Sequence, residues 1–194
     1  MFRVFLSLVF LFVAVAAHAQ TPSQVVKGYV DSIISVLKDK RLSPEEKKKK
    51  IERIMDGAIY WDRVGRMVLG IHARRLPKKK VEEFTQVFRR FVAKVYAKKF
   101  VKYSTGNDLD KIKVAYKREI RGEDTATVLM DLTTAEGKVV PISCKLVRVG
   151  DRWLIYDVYV EGISMVNNYR VQVNRVINKR GFEHLMKVLR RKVG

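Results

Sequence analysis

The sequence has one cysteine in 194 residues, Cys144, so no disulfide can form within the chain. Many small exported domains depend on such bridges; this chain has to be held by packing. Histidine is also scarce: His18, His72 and His184 are the full set, and none has a partner at metal-ligand spacing. The eleven glycines make no phosphate-cradling loop. No serine or cysteine among Ser104, Ser143, Cys144 and Ser164 sits in a nucleophile motif. Long apolar runs are missing after the first nineteen residues, which leaves no candidate membrane span there. These absences remove metal catalysis, covalent catalysis and nucleotide binding as first readings. No metal or cofactor is expected.

Acidic residues are few relative to basic ones, 20 Asp plus Glu against 40 Lys plus Arg. Such an excess raises nucleic acid as a partner. The amino terminus argues for a different compartment. Arg3 precedes an apolar run from Val4 to Ala17, and Ala17-His18-Ala19 supplies small residues on either side of one position. That order is the layout of a secretory signal, and the run falls short of the roughly twenty residues a bilayer span needs. The expectation is a cleavable signal at residues 1–19 and one domain over residues 20–194, starting at Gln20. With Gln20 in place of a cysteine, no lipid anchor is expected at that new terminus, and the chain should be soluble in the periplasm. Outside the cytoplasm, anionic lipid surfaces and acidic proteins are better partners for a basic chain than nucleic acid. Lys- and Glu-rich surfaces also occur in proteins of heat-loving organisms.

Periodicity is helical in the first half. Val25, Val26, Tyr29, Ile33, Val36 and Leu37 recur at three- and four-residue spacing. Ser43-Pro44-Glu45-Glu46 is a helix start, with Ser43 as cap, Pro44 in the first turn and Glu46 three beyond the cap. Ile51, Ile54, Met55 and Ala58 carry its buried face. Trp61 to Leu69 continues it or forms a short helix, with Gly70 as the stop. Pro77 opens the longest helix, to about Tyr103, burying Val81, Phe84, Phe88, Phe91 and Val95, with Val92 and Tyr96 widening the arc. Lys99 falls within that apolar arc. Arg90, Lys94 and Lys98 form a ridge beside it, within a run from Arg74 to Lys102 that is eleven-to-two basic.

After Gly106-Asn107 the period changes to two. Ile112, Val114, Tyr116 and Ile120 mark one strand; Ala126, Val128, Met130 and Leu132 a second; Val140, Ile142, Cys144 and Leu146 a third. Arg152 to Val160 makes a fourth, apolar on both faces. Short turns between them predict an antiparallel meander. Helices follow from about Ser164 to Asn178 and Phe182 to Arg191, with Gly181 between. The class is α+β, a four-stranded antiparallel sheet with helices on one face. Cys144, in an alternating apolar stretch, is expected to be buried and inert. Asp157 interrupts the fourth strand. It is either a carboxylate that accepts backbone amides or a general base with a raised pKa, and the first is favoured because no second polar group accompanies it. Met55, Met67, Met130, Met165 and Met186 fall in apolar arcs, a composition that suits a core or a surface for flexible apolar ligands.

Three blocks carry a family resemblance. They are Trp61-Asp62-Arg63-Val64-Gly65-Arg66-Met67-Val68-Leu69-Gly70, then Phe84-Thr85-Gln86-Val87-Phe88 with Val95-Tyr96 and Tyr103, and then Trp153 to Ser164 leading into Asn168-Tyr169-Arg170-Val171-Gln172 and Gly181. In this order, after a signal segment, the chain resembles the MlaC family, also called toluene-tolerance proteins. It departs from the family in having Trp61 where Phe is usual, no Trp after Leu69-Gly70, and Val173 where Phe is common.

The resemblance implies a fold related to nuclear transport factor 2, with sheet and helices enclosing an apolar pocket that takes the acyl tails of a phospholipid. It also implies a monomeric shuttle between an inner-membrane ABC lipid transporter complex and an outer-membrane lipoprotein complex. A hopanoid-type lipid is the alternative cargo. The inward arcs then nominate lining residues: Leu69, Phe84, Phe88 and Phe91 from the helices; Val128, Met130, Ile142, Leu146, Tyr156 and Val158 from the strands; Met165 and Tyr169 after them. Arg90, Lys94 and Lys98 are nominated for steering toward membranes or partners. Two other readings compete: a small isomerase or dehydratase using Asp157 on the same fold, and a module that binds proteins through the basic face.

Overall fold

The computed structural model describes residues 20–194; the expected signal segment lies outside the described residues. The chain runs α1 (Pro22–Lys38), α2 (Pro44–Ala58), α3 (Trp61–Leu69), α4 (His72–Arg75) and α5 (Lys78–Gly106), then a 3-10 turn at Leu109–Lys111. Next come β1 (Lys113–Arg121), β2 (Thr125–Thr133), β3 (Val139–Val149), β4 (Arg152–Val160), β5 (Ile163–Ser164) and α6 (Met165–Val193). The sheet order is β1-β2-β3-β4-β5 with every pairing antiparallel, and helices pack against it.

Local chemistry sets the helix ends. At α2, Ser43 accepts the Glu46 amide while Glu46 Oε2 accepts the Ser43 amide at 2.8 Å, with Pro44 at the first position. Thr21, Pro22 and Gln24 repeat the device at α1. Gly70 ends α3 at φ 57°, a left-handed angle that costs glycine little. Gly181, at φ 80°, breaks α6 into the two helical stretches expected there.

The sheet differs from the expected meander in three places. β5 is an added two-residue strand, because Glu161-Gly162 forms a tight hairpin turn with both residues at positive φ, 51° and 79°. That is the geometry two-residue hairpins prefer. β1 carries a one-residue irregularity between Tyr116 and Arg118, after which Glu119 and not Arg118 lies opposite Val128, and Ile120 faces Thr127 instead of Ala126. One extra residue moves all later side chains to the other face. Ile120 is therefore 49 % exposed, and Glu119 instead accepts the Ser23 hydroxyl and amide of α1. A second irregularity leaves Tyr156 unpaired between Ile155, opposite Leu146, and Asp157, opposite Lys145. It accounts for the apolar side chains on both faces of β4.

Three apolar cores result. The smallest joins α1, α2 and the second half of α5 through Leu37, Ile51, Ala97 and Val101. Of the two larger ones, one gathers α3, α5 and α6 around Val68, Leu69, Phe84, Phe88 and Met186. The other lies between α1, through Val26, and the sheet, through Val128, Met130, Cys144, Leu146 and Ile155. Ile59, between α2 and α3, packs against both, and the next amide, Tyr60 N–H, donates to Ile155 C=O at 2.8 Å.

The α3–α5 contact is the tightest constraint in the helical core. A Cβ on Gly65 would stand 2.1 Å from Thr85 Oγ1, and Thr85 is itself buried and donates to Val81 C=O. Gly65→Ala should lower unfolding stability by about 1–3 kcal/mol through overpacking. Adding Thr85→Ala, which removes the nearest atom, should recover part of that loss in urea titrations.

Candidate functional site

Residues directly opposite one another in neighbouring strands share a face. The register thus reads the inner face as rows. One runs Ala126–Leu146–Ile155 and the next Val128–Cys144–Val158. A third runs Met130–Ile142–Val160–Ile163 across β2 to β5. The first two start deep under α1. The third passes from 6 % exposed at Met130, through half-buried Ile142 and Val160, to 59 % exposed at Ile163. Leu132 and Val140, opposite each other at the far end of the sheet, are half-buried too. The apolar face therefore extends past the helix that covers it.

The second half of α5 and the start of α6 bracket this extension. Tyr96 donates its hydroxyl to Met165 Sδ at 3.4 Å, tying α5 to the first residue of α6. Tyr103 accepts the Ala135 amide at 2.9 Å and donates to Glu136 at 3.1 Å, tying α5 to the β2–β3 turn. Tyr96, Phe100 and Tyr103 are half-buried on the same side of the helix. Deeper in, Phe84 stacks on Phe88 at 5.3 Å, and Tyr169 meets Phe88 edge-on at 5.2 Å, a favoured aromatic geometry. Burial raises the Tyr169 phenol pKa well above its usual range.

The twelve nominated lining residues are divided between the two larger cores. Leu69, Phe84, Phe88, Phe91, Tyr156 and Tyr169 belong to or pack against the helical core. Val128, Met130, Ile142, Leu146 and Val158 belong to or pack against the sheet core. Met165 stands at the seam under the Tyr96 hydroxyl. Leu69, Phe84, Leu146 and Val128 are at most 1 % exposed and serve as packing. Three surface clefts lie elsewhere, among them one of about 360 Å³ between α1 and the β3–β4 turn, and none is lined by a nominated residue. The apolar face also includes Leu132, Val140, Val160 and Ile163, which were not among the nominated residues. For Val160 and Ile163 the signal was the Glu161-Gly162 turn, which folds Ile163 back beside Val160.

The ridge on α5 is exposed. Arg90 donates to Gln86 C=O and Lys94 to the carbonyls of Val193 and Gly194, while Lys98 has no ion pair among the described residues.

The polar candidates have structural partners. Asp157 is 6 % exposed; one oxygen accepts the Ser164 hydroxyl at 2.6 Å and the other the Val166 amide at 3.1 Å. It caps the amino terminus of α6, where a carboxylate is favoured, so its carboxylate is taken up by the role preferred from sequence. Cys144 is buried and desolvation pushes its thiol up to about 12. No group of three His, Cys, Asp or Glu residues gathers among the described residues, and no described helix is long and apolar enough to cross a membrane.

An α+β fold whose helices only partly cover an apolar sheet face, with its one buried carboxylate spent on a helix cap, defines a protein built around an apolar surface. The family can be stated more closely. The model for the MlaC protein family matches residues 27–191, and the chain belongs to that family. It is 23 % identical over 185 residues to the toluene tolerance protein Ttg2D of Pseudomonas putida, covering 92 % of this chain and 83 % of that one. A phospholipid-binding protein from Ralstonia solanacearum, solved with a phospholipid, shares the fold at a TM-score of 0.73 and 18 % identity, covering 87 % of this chain and 94 % of that chain.

Two measurements test these assignments. Asp157→Ala should cost about 1–3 kcal/mol in urea unfolding, because it leaves the Val166 amide and Ser164 hydroxyl without their acceptor. Cys144 should resist a thiol-reactive dye in the folded protein near neutral pH and react at the free-thiol rate once urea unfolds it.

Proposed function

We propose that this protein is a periplasmic phospholipid carrier that holds acyl tails against the inner face of its sheet and moves lipid between the inner and outer membranes. The observation that carries the reading is the apolar row Met130–Ile142–Val160–Ile163, which leads from the core to solvent. An acyl chain laid along such a row gains about 0.8 kcal/mol for each methylene removed from water. No reacting group is needed for that. Membership of the MlaC family supports the cargo, since a fold neighbour was solved with a phospholipid. The seam between the two larger cores, around Tyr156, Val158, Met165 and Tyr169, is where tails penetrate. Partners of this carrier are an inner-membrane ABC transporter complex and an outer-membrane lipoprotein complex, with this chain as the soluble component.

Native mass spectrometry after gentle purification should find phospholipid bound; a chain that never carries lipid sinks the proposal. Ile142→Glu with Val158→Glu places charges at half-buried positions of the face and should cut the loaded fraction at least tenfold, while circular dichroism stays near that of the parent. Neutralising Arg90, Lys94 and Lys98 should slow transfer between vesicles and leave bound lipid in place, since exposed charges act on encounter more than on the held complex. Unchanged transfer would assign that ridge no steering role.

A further inference from the structure

Lys99 is an exposed cation in the second half of α5, away from the buried Ala97 and Val101 and on the flank that carries Tyr96 and Tyr103. It lies three residues after Tyr96 and four before Tyr103, the two side chains that tie α5 to α6 and to the β2–β3 turn. Helical spacing puts it on their side of the helix. Its ammonium sits 5.2 Å from the centre of the Tyr96 ring, which positions the charge without neutralising it. Among the described residues it makes no ion pair with any acid, although thirteen other cation–carboxylate contacts are formed on this surface. Lys102, one turn on and exposed, is likewise unpaired. By contrast Lys94, on the far side of the helix, is held by the carbonyls of the chain terminus.

We propose that Lys99, supported by Lys102, binds the phosphate of the cargo's headgroup at the rim of the apolar face. The inference rests on the carrier reading above and assigns the polar end of the same ligand. A phosphodiester is a single negative charge joined to two apolar tails. It is matched by one unpaired ammonium beside the Tyr96–Met165 link, where α6 leaves the apolar edge of the sheet. The Tyr96 ring explains the orientation of this lysine but not its charge. The ammonium offers three donors to phosphate oxygens and accepts any headgroup beyond the phosphate. The rim should therefore select for the phosphodiester and discriminate little among substituents on it.

The test compares two short-chain lipids with identical tails below their micelle concentrations: dihexanoyl phosphatidylglycerol and dihexanoylglycerol, which lacks the phosphate. The delipidated protein should bind the phospholipid more tightly. Lys99→Met should weaken the phospholipid about tenfold, as expected for one charge-assisted contact, and leave dihexanoylglycerol unchanged. Lys99→Arg should keep most of the affinity, and Lys49→Met on α2 should match the parent for both. Equal binding of the phospholipid by parent and Lys99→Met overturns the proposal, as does an equal loss for both lipids. If the parent binds neither lipid, the carrier reading itself has failed.

Discussion

The structure depends on a mismatch of widths. A sheet of four long strands presents more apolar inner surface than the single helix α1 covers. α1 seals the β2–β3 centre, where Val128 and Leu146 are at most 1 % exposed. It leaves Leu132, Val140, Ile142 and Val160 half-buried. The rest of the helical layer does not close down as a lid of matching shape, because α3, α5 and α6 have an aromatic core of their own. Separate cores joined at seams are a costly way to make a stable domain, since interiors gain most from dense, continuous packing. They are a natural way to hold surface that another apolar body completes.

The features legible from sequence were those fixed within a few residues. Ser43, Pro44 and Glu46 announced α2 because a capping box is a local hydrogen-bond exchange, and the structure forms it as read. Gly181 announced the break in α6 for the same kind of reason. Alternation located β1 to β4, yet it mis-assigned Ile120, because a strand irregularity inserts one residue that composition does not mark. It also stopped the sheet at Val160, since Glu-Gly is a weaker hairpin signal than Asn-Gly. The site was less legible for a related reason. An apolar arc shows that a side chain turns inward, but not which inward surface it meets. Phe84 and Val128 share that property and lie in different cores.

Charge follows a separate logic from the fold. Most of the ion pairs join exposed partners, such as Lys27 with Asp31 or Lys111 with Asp108, and contribute little to stability. The twofold excess of basic over acidic residues opposes compaction through self-repulsion. A surface of that kind is better explained by what the protein meets than by what holds it together. On α5 the basic residues fall into two groups with different surroundings. Arg90 and Lys94 lie along the open side, while Lys99 stands over Tyr96. A long-range field needs only the first group; a short-range contact needs the second.

Asp157 shows how a buried charge can fix the packing of the apolar elements around it. The β4–β5 hairpin reverses the chain within two residues, so α6 must start immediately beside the strand it has just left. Its first amides would be buried with no partner. The Asp157 carboxylate accepts one of them and the Ser164 hydroxyl, and Ser164 in turn accepts the Asn167 amide. That chain of bonds sets where α6 begins, and hence where Met165 and Tyr169 stand against α5. Tyr96 can reach Met165 only if that starting point is fixed. The carboxylate that looked most like a reagent in the sequence thus fixes the geometry of the seam, and the apolar surface is defined by a polar cap placed one residue behind it.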